Sequence, residues 1–218
     1  LLNASLEILI PANASDIPAN WISGAGQSAT SRPATLGFPI GFDTTPANPN
    51  AATNLALAGA ASQSTTGFGL PAANGNDGNL STYTHTASQD DASAWSLDLG
   101  AAFEIRRLVL HNRPECCQTR FRDLTVYLID ADGATVLWTS GLLNPENRLN
   151  SPAAITLDLL DLGVEPVAAR FIRISRTPDP DLSGSGGAGN ADEDSVLTLA
   201  EVEVYGVESI SFAPVLRT

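Results

Sequence analysis

Residues 94–113 read AWSLDLGAAFEIRRLVLHNR, and two runs within them alternate apolar with polar side chains. AWSLDLG (94–100) and EIRRLVLHNR (104–113) are read as strands, because a two-residue period puts every second side chain on one face. Outward from this stretch the pattern recurs in LEILI (6–10), DLTVYLID (123–130), TVLWTS (135–140), AAITLDL (153–159), RFIRISR (170–176) and LAEVEVYG (199–206). Gly, Pro, Asn and Asp punctuate these runs, as in DADG (130–133), and helical periodicity is nearly absent. Short strands at this spacing predict an all-β fold, an antiparallel sandwich of the jelly-roll kind.

The chain has 218 residues, 43% of them hydrophobic, which is enough for a substantial core. Its 24 acids face 11 cations, all of them arginine, for a net charge of -13. Phosphate binding needs clustered positive charge, so a nucleic-acid partner is not expected. The acidity serves solubility. No apolar run reaches the length of a membrane-spanning helix, so membrane insertion is not expected either. The chain opens at Leu1 without a basic region and apolar leader, which we read as a processed protein, secreted or at the cell surface.

Residues 1–51 differ from the rest, being rich in Pro, Ala, Asn, Ser and Thr with scattered apolar spots. They lack the periodic apolar surface of an independent domain and read as an extended N-terminal arm. Its apolar residues, Trp21 and Phe38 among them, must pack on the parent sandwich or on a neighbouring subunit, so a homo-oligomer through residues 1–51 is a candidate. The sandwich domain is expected over 52–206, and 207–218 form a C-terminal tail. A long acidic loop, TPDPDLSGSGGAGNADEDS (177–195), interrupts the strands. Its GSGGAG (184–189) has the form G-x-G-x-x-G, but no strand and helix flank it, so it reads as a flexible loop.

The chemistry concentrates in NRPECCQTR (112–120). The only two cysteines of the chain stand side by side, and there is no methionine. Adjacent cysteines cannot staple distant parts of a fold: they either stay reduced or bond to each other and make something local. Arg113 and Arg120 bracket them with the spacing R-x-E-x4-R. Two forked donors in an acidic protein suit a ligand rich in acceptors: a carboxylate, a phosphate, or the hydroxyls and ring oxygen of a sugar. Glu115 between them is expected to brace both guanidinium groups. His85, in YTHT, adds a donor or acceptor.

In order, DGNLSTYTHT (77–86), AWSLDLG (94–100), NRPECCQTR (112–120) and LAEVEVYG (199–206) resemble the F-type lectins, or fucolectins. These belong to the discoidin-like galactose-binding superfamily, and the resemblance spans residues 53–206. It implies that His85, Arg113 and Arg120 hydrogen-bond α-L-fucose while a Cys116–Cys117 disulfide stacks on one edge of the sugar. Fucosylated glycans are then the expected partners. It also implies a structural Ca2+ between NGNDGN (74–79) and the last strand. Asn74, Asp77, Asn79 and Ser81 or Thr82 would supply ligands from one segment and Glu201 from the other, a set of hard oxygens that suits calcium. The sequence departs from the family pattern at Glu115, where aspartate is usual, and at Trp95, where a tryptophan pair is common. The loop from Asp77 to His85 is short, which leaves Tyr83 or Phe68 to meet the fucose methyl group.

The leading expectation is therefore a fucose-recognising, calcium-stabilised, lectin-like protein without catalysis. The alternative is a structural or adhesive surface or filament subunit that assembles through the N-terminal arm, with LEILI adding to a sheet edge. An enzyme is not expected, because neither His85 nor His111, the only two histidines, sits in a motif that activates a nucleophile.

Overall fold

The structure, a computed structural model, describes residues 53–179 and 194–208. The arm over 1–51, the strand expected at 6–10 and the glycine-rich run 184–189 lie outside the described residues. Seven strands form among the described residues: β1 (Ala60–Gln63), β2 (Ala94–His111), β3 (Leu124–Ile129), β4 (Val136–Thr139), β5 (Ala154–Asp158), β6 (Val167–Arg176) and β7 (Glu201–Glu208). All pair antiparallel, and no α-helix occurs among these residues. No helix of the described residues is long and apolar enough to cross a membrane. Val207 and Glu208, expected in the tail, belong to β7, where they pair with Glu104 and Phe103.

The two strands expected at 94–100 and 104–113 are the halves of one. β2 runs through Gly100, whose φ of 80° suits a residue without a side chain, and its register against β6 shifts between Asp98 and Phe103. The shift re-aims the strand. Its first half pairs with β1 and its second with β5 and β7, while β6 runs alongside on both sides of the irregularity. From β6 the sheet continues to β3 and β4. A single hydrogen-bonded sheet thereby folds over on itself as a β-sandwich.

The alternation read from the sequence is what fills it. Trp95 and Leu97, Leu108 and Leu110, Leu124, Val126 and Leu128, Ile172 and Ile174, and Val202 and Val204 are all fully buried. Each set is spaced by two, so each strand turns one face inward. β1 carries no such signal, because AASQ has no large apolar residue; it forms by pairing with Trp95–Asp98 of β2.

Trp95 ties this core to the segment that leads into the site. Its indole Nε1 donates to the Ala72 carbonyl at 2.9 Å, at the start of the tight turn Ala72–Gly75. One residue on, the buried Asn76 donates through Nδ2 to the carbonyls of Ala56 at 2.8 Å and Gly59 at 3.0 Å. The entry to residues 77–86 is thus fixed from below. Trp95→Phe keeps most of the apolar volume and leaves the Ala72 carbonyl without its donor, so it should cost about 1–3 kcal/mol. Trp95→Ala also leaves a cavity and should cost about 3–5 kcal/mol. Denaturant unfolding of the two variants checks both the order and the sizes.

Candidate functional site

The site is built on the segment Thr84-His85-Thr86. Thr84 and Thr86 each bond the chain at 197–199 twice. Their backbone N–H groups donate to the Leu199 and Leu197 carbonyls at 2.8 and 3.1 Å, and their hydroxyls accept from the N–H groups of the same two leucines at 3.1 and 2.9 Å. His85, held between two clamped neighbours, is 2% exposed. Its Nδ1 lies 2.5 Å from the Thr86 carbonyl oxygen. A carbonyl can only accept, so Nδ1 carries the proton and Nε2 presents a lone pair. That lone pair faces Nη1 of Arg120 at 3.2 Å.

Arg120 closes the turn Gln118–Arg120 and is 4% exposed. Arg113, two residues beyond the end of β2, is 5% exposed, and its guanidinium carbon lies 3.9 Å from the centre of the Tyr83 ring. Stacking on an aromatic face is one of the few ways to hold a guanidinium away from water. The Cys117 thiol is pushed up, first by burial and then by its hydrogen bond to Cys116, while the charges of Arg120 and Arg113 pull the other way. Cys117 therefore stands beside both arginines. It adopts a left-handed backbone, φ 66°, which folds the cysteine pair back on itself. Phe68, 79% exposed, sets its ring edge-on to His85 at 4.9 Å between centres.

The structure thus gathers His85, Arg113, Arg120, Cys116 and Cys117. Two expectations change. Glu115 does not brace the arginines: it is exposed and its carboxylate pairs with neither, while its backbone carbonyl accepts from Gln118 Nε2. Arg113 stacks instead on the Tyr83 ring, and Arg120 meets the His85 lone pair. The expected Cys116–Cys117 bond is not formed here. The two are free thiols with sulfurs 2.7 Å apart, outside the S–S bond length of about 2.05 Å.

The second cluster expected from the sequence centres on Glu201, at the start of β7 opposite His111. Glu201 is 2% exposed; Oε2 accepts from the Gly78 N–H at 3.1 Å, and Oε1 has no hydrogen-bond partner. Burial, and then the neighbouring charges of Asp77 and Glu203, push its pKa up to about 7. An orphaned, buried carboxylate oxygen is where a hard cation fits. The other expected ligands are engaged locally. Asp77 accepts from the Asn79 N–H at 2.9 Å and the Thr82 hydroxyl at 2.8 Å, Asn79 Oδ1 accepts from the Ser81 N–H at 3.0 Å, and Asn74 Nδ2 donates to the Tyr83 carbonyl at 2.9 Å. No three His, Cys, Asp or Glu side chains converge among the described residues, so a donor set here draws on amide, hydroxyl and carbonyl oxygens as well.

Residues 74–174 match the family model of the NedA-like, galactose-binding domain. A Streptococcus pneumoniae fucose binding module superposes with a TM-score of 0.56 at 23% identity, covering 72% of this chain and 99% of its own. The fold is the one shared with the galactose-binding domains, to which the chain is similar over these residues. The lectin domain of lectinolysin, solved with Lewis B antigen, shares the fold at TM-score 0.56 and 24% identity, over 72% of this chain and 98% of its own. The fucolectin of striped bass (Morone saxatilis) serum shares it at TM-score 0.53 and 24% identity, over 71% of this chain and 49% of its own. No curated protein sequence matches the chain. At these identities the likeness establishes the fold of the domain.

Sequence reading missed the supports of the site: Thr84, Thr86 and Gly67. The threonines were visible as T-H-T, but their partners at 197–199 lie 111 and 115 residues away. A Cβ on Gly67 would stand 2.6 Å from the Thr86 carbonyl oxygen and 2.8 Å from His85 Nδ1. Gly67→Ala should therefore displace the imidazole, visible as shifts of the His85 ring signals in NMR, while the core signals of β2 and β6 stay in place. The Glu201 carboxyl supplies a pH test. In metal-free protein its folded pKa, about 7, exceeds the ordinary 4.5, so the unfolded chain loses that proton first. The stability this group contributes is full below 4.5 and is lost as pH rises through about 7. Melting temperatures in chelator across that window should fall, and Glu201→Gln should flatten the profile.

Proposed function

We propose that the domain is a lectin that recognises α-L-fucose on glycans, with no catalytic step. The observation that carries this reading is the buried pair of His85 and Arg120, fixed in one tautomer and one hydrogen-bonding sense, beside Arg113 stacked on Tyr83. Such an array offers directional donors to hydroxyl and ring oxygens. Exposed Phe68 and the cysteine pair supply the apolar surface that a sugar's C–H face and methyl group need. The names of the similar structures, a fucose binding module and a fucolectin, point the same way. Oxidation of Cys116 and Cys117 to a disulfide would turn two hydrogen-bearing thiols into a flat apolar edge. A secreted or surface location suits both the reading and the oxidation.

Calcium belongs to the same proposal. Glu201 and Asp77 would hold the ion, with Asn74 and Asn79 contributing amide oxygens and Ser81 its hydroxyl. The ion would neutralise a carboxylate that burial otherwise penalises and would pin the 74–82 segment to β7.

Three measurements test these points. Methyl α-L-fucoside should bind the full chain in calorimetry. Arg120→Ala and His85→Ala should each lose about 1.5–3 kcal/mol of binding, abolishing it in practice, with unfolding unchanged in cooperativity. Retained binding in both variants overturns the site. Calcium at about a hundredfold excess over its Kd should add about 2.7 kcal/mol of stability, and Asp77→Ala should remove that increment. An unchanged melting curve in chelator overturns the metal. Mass analysis without reductant should find the chain lighter by two hydrogens if the cysteines are bonded.

A further inference from the structure

β5 and β7 both run antiparallel to β2, so both leave the sheet at the end away from His111. Asp158, the last residue of β5, pairs with Arg107, and Glu208, the last of β7, pairs with Phe103. A groove of about 320 Å³ opens at that end. The buried Ile105 and Leu159 line it together with Leu160 and Val164. Leu160 and Val164 belong to the turn LLDLGVEP (159–166), which is unusually apolar for a surface loop. Leu160 is 77% exposed and Leu162, in the same turn, 56%. No lining residue has a buried side-chain nitrogen or oxygen short of a hydrogen bond, so the groove suits apolar groups. Contiguous exposed apolar surface of this kind marks a docking site.

The segment that follows β7 has the matching chemistry. Residues 209–218, outside the described residues, read SISFAPVLRT and continue directly from Glu208. Ile210 and Phe212 are two apart, so an extended backbone turns both to one side, and Val215 and Leu216 follow. Glu208 lies on the strand next to Ile105 and two residues along from its partner Gly206, which puts the two about 8 Å apart. Phe212, four residues further on, has a reach of about 13 Å. Charge agrees with reach. Arg217 is the only charged residue of 209–218, whereas Asp158 and Asp161 outnumber Arg106 around the groove. A segment tethered this closely meets the groove at an effective concentration on the order of millimolar, which a second copy would have to exceed.

We propose that residues 209–217 dock into this groove of their own chain, with Phe212 against Leu160 and Val164 and Arg217 beside Asp161. The docked segment covers the exposed leucines and closes the end of the sandwich away from His85. The inference is independent of the fucose reading.

The test is amide hydrogen exchange on the full chain, followed by NMR, with Phe212→Ser and Leu160→Ser as variants. The amides to follow are Leu162, Gly163 and Val164, which donate to the Asp158, Leu160 and Leu159 carbonyls. In Phe212→Ser they should exchange about tenfold faster, while the amides of β3 and β4 keep their wild-type rates. Leu160→Ser should act alike, and the double variant should go no further than either single one, because each removes the same contact. Unchanged rates in Phe212→Ser overturn the proposal, and so do additive effects in the double variant. Protection that rises with protein concentration, with a dimer in sedimentation, overturns it in favour of a second copy as the occupant. Should Phe212→Ser fail to unfold cooperatively, Leu160→Ser decides on the same three amides, and unchanged rates there overturn the docking.

Discussion

The domain depends on one strand serving two layers. β2 bends between Asp98 and Phe103, and its second half runs on to His111 between β5 and β7. The loop that carries Arg113, the cysteines and Arg120 leaves from that end. Where β2 ends is therefore where the site begins. The inward residues of both halves, Trp95 and Leu97 before the bend and Leu108 and Leu110 after it, are fully buried. Sliding the register by one residue would turn all of them outward, so core packing fixes the starting point of the loop.

From that fixed end, the site is completed by pieces far apart in the chain. Thr84 and Thr86 lock the approaching segment onto 197–199, just before β7 begins at Glu201. The same short stretch thus anchors His85 through backbone and hydroxyl bonds and, a few residues later, supplies the buried carboxylate beside Gly78. A cation at Glu201 and a ligand at His85 would both act on the 77–86 segment.

Much of this was legible in the sequence, and the physics explains the rest. Strands with large apolar residues at every second position declared themselves, and so did the R-x-E-x4-R bracket around the cysteines. The bend in β2 did not, because AWSLDLG and EIRRLVLHNR look alike as two strands or as one bent strand, and Gly100 is only permissive of the bend. AASQ was invisible because it forms by pairing and not by burial. Glu115 misled for a different reason. Proximity in sequence to two arginines suggests an ion pair, but Glu115 is exposed while both arginines are buried. The hydrogen bond from Gly78 to Glu201 spans 123 residues and leaves no local pattern at all; only the family resemblance joined those segments.

The arginines show why such a site is built at some cost to stability. In a chain with net charge -13, a guanidinium has no shortage of acidic partners, and the buried Arg122 pairs with Asp123 at 2.9 Å and with Asp179. Arg113 is almost as buried, yet it rests on an aromatic ring and keeps its Nε unpaired. Truncating one partner of a buried ion pair is costly because it leaves a bare charge, and Arg113 is held in that condition by the fold itself. Stacking on Tyr83 offsets part of the penalty without consuming the N–H groups. An acidic partner would have occupied those N–H groups. The aromatic partner does the reverse: it holds the charge in position and leaves Nε without a hydrogen-bond partner.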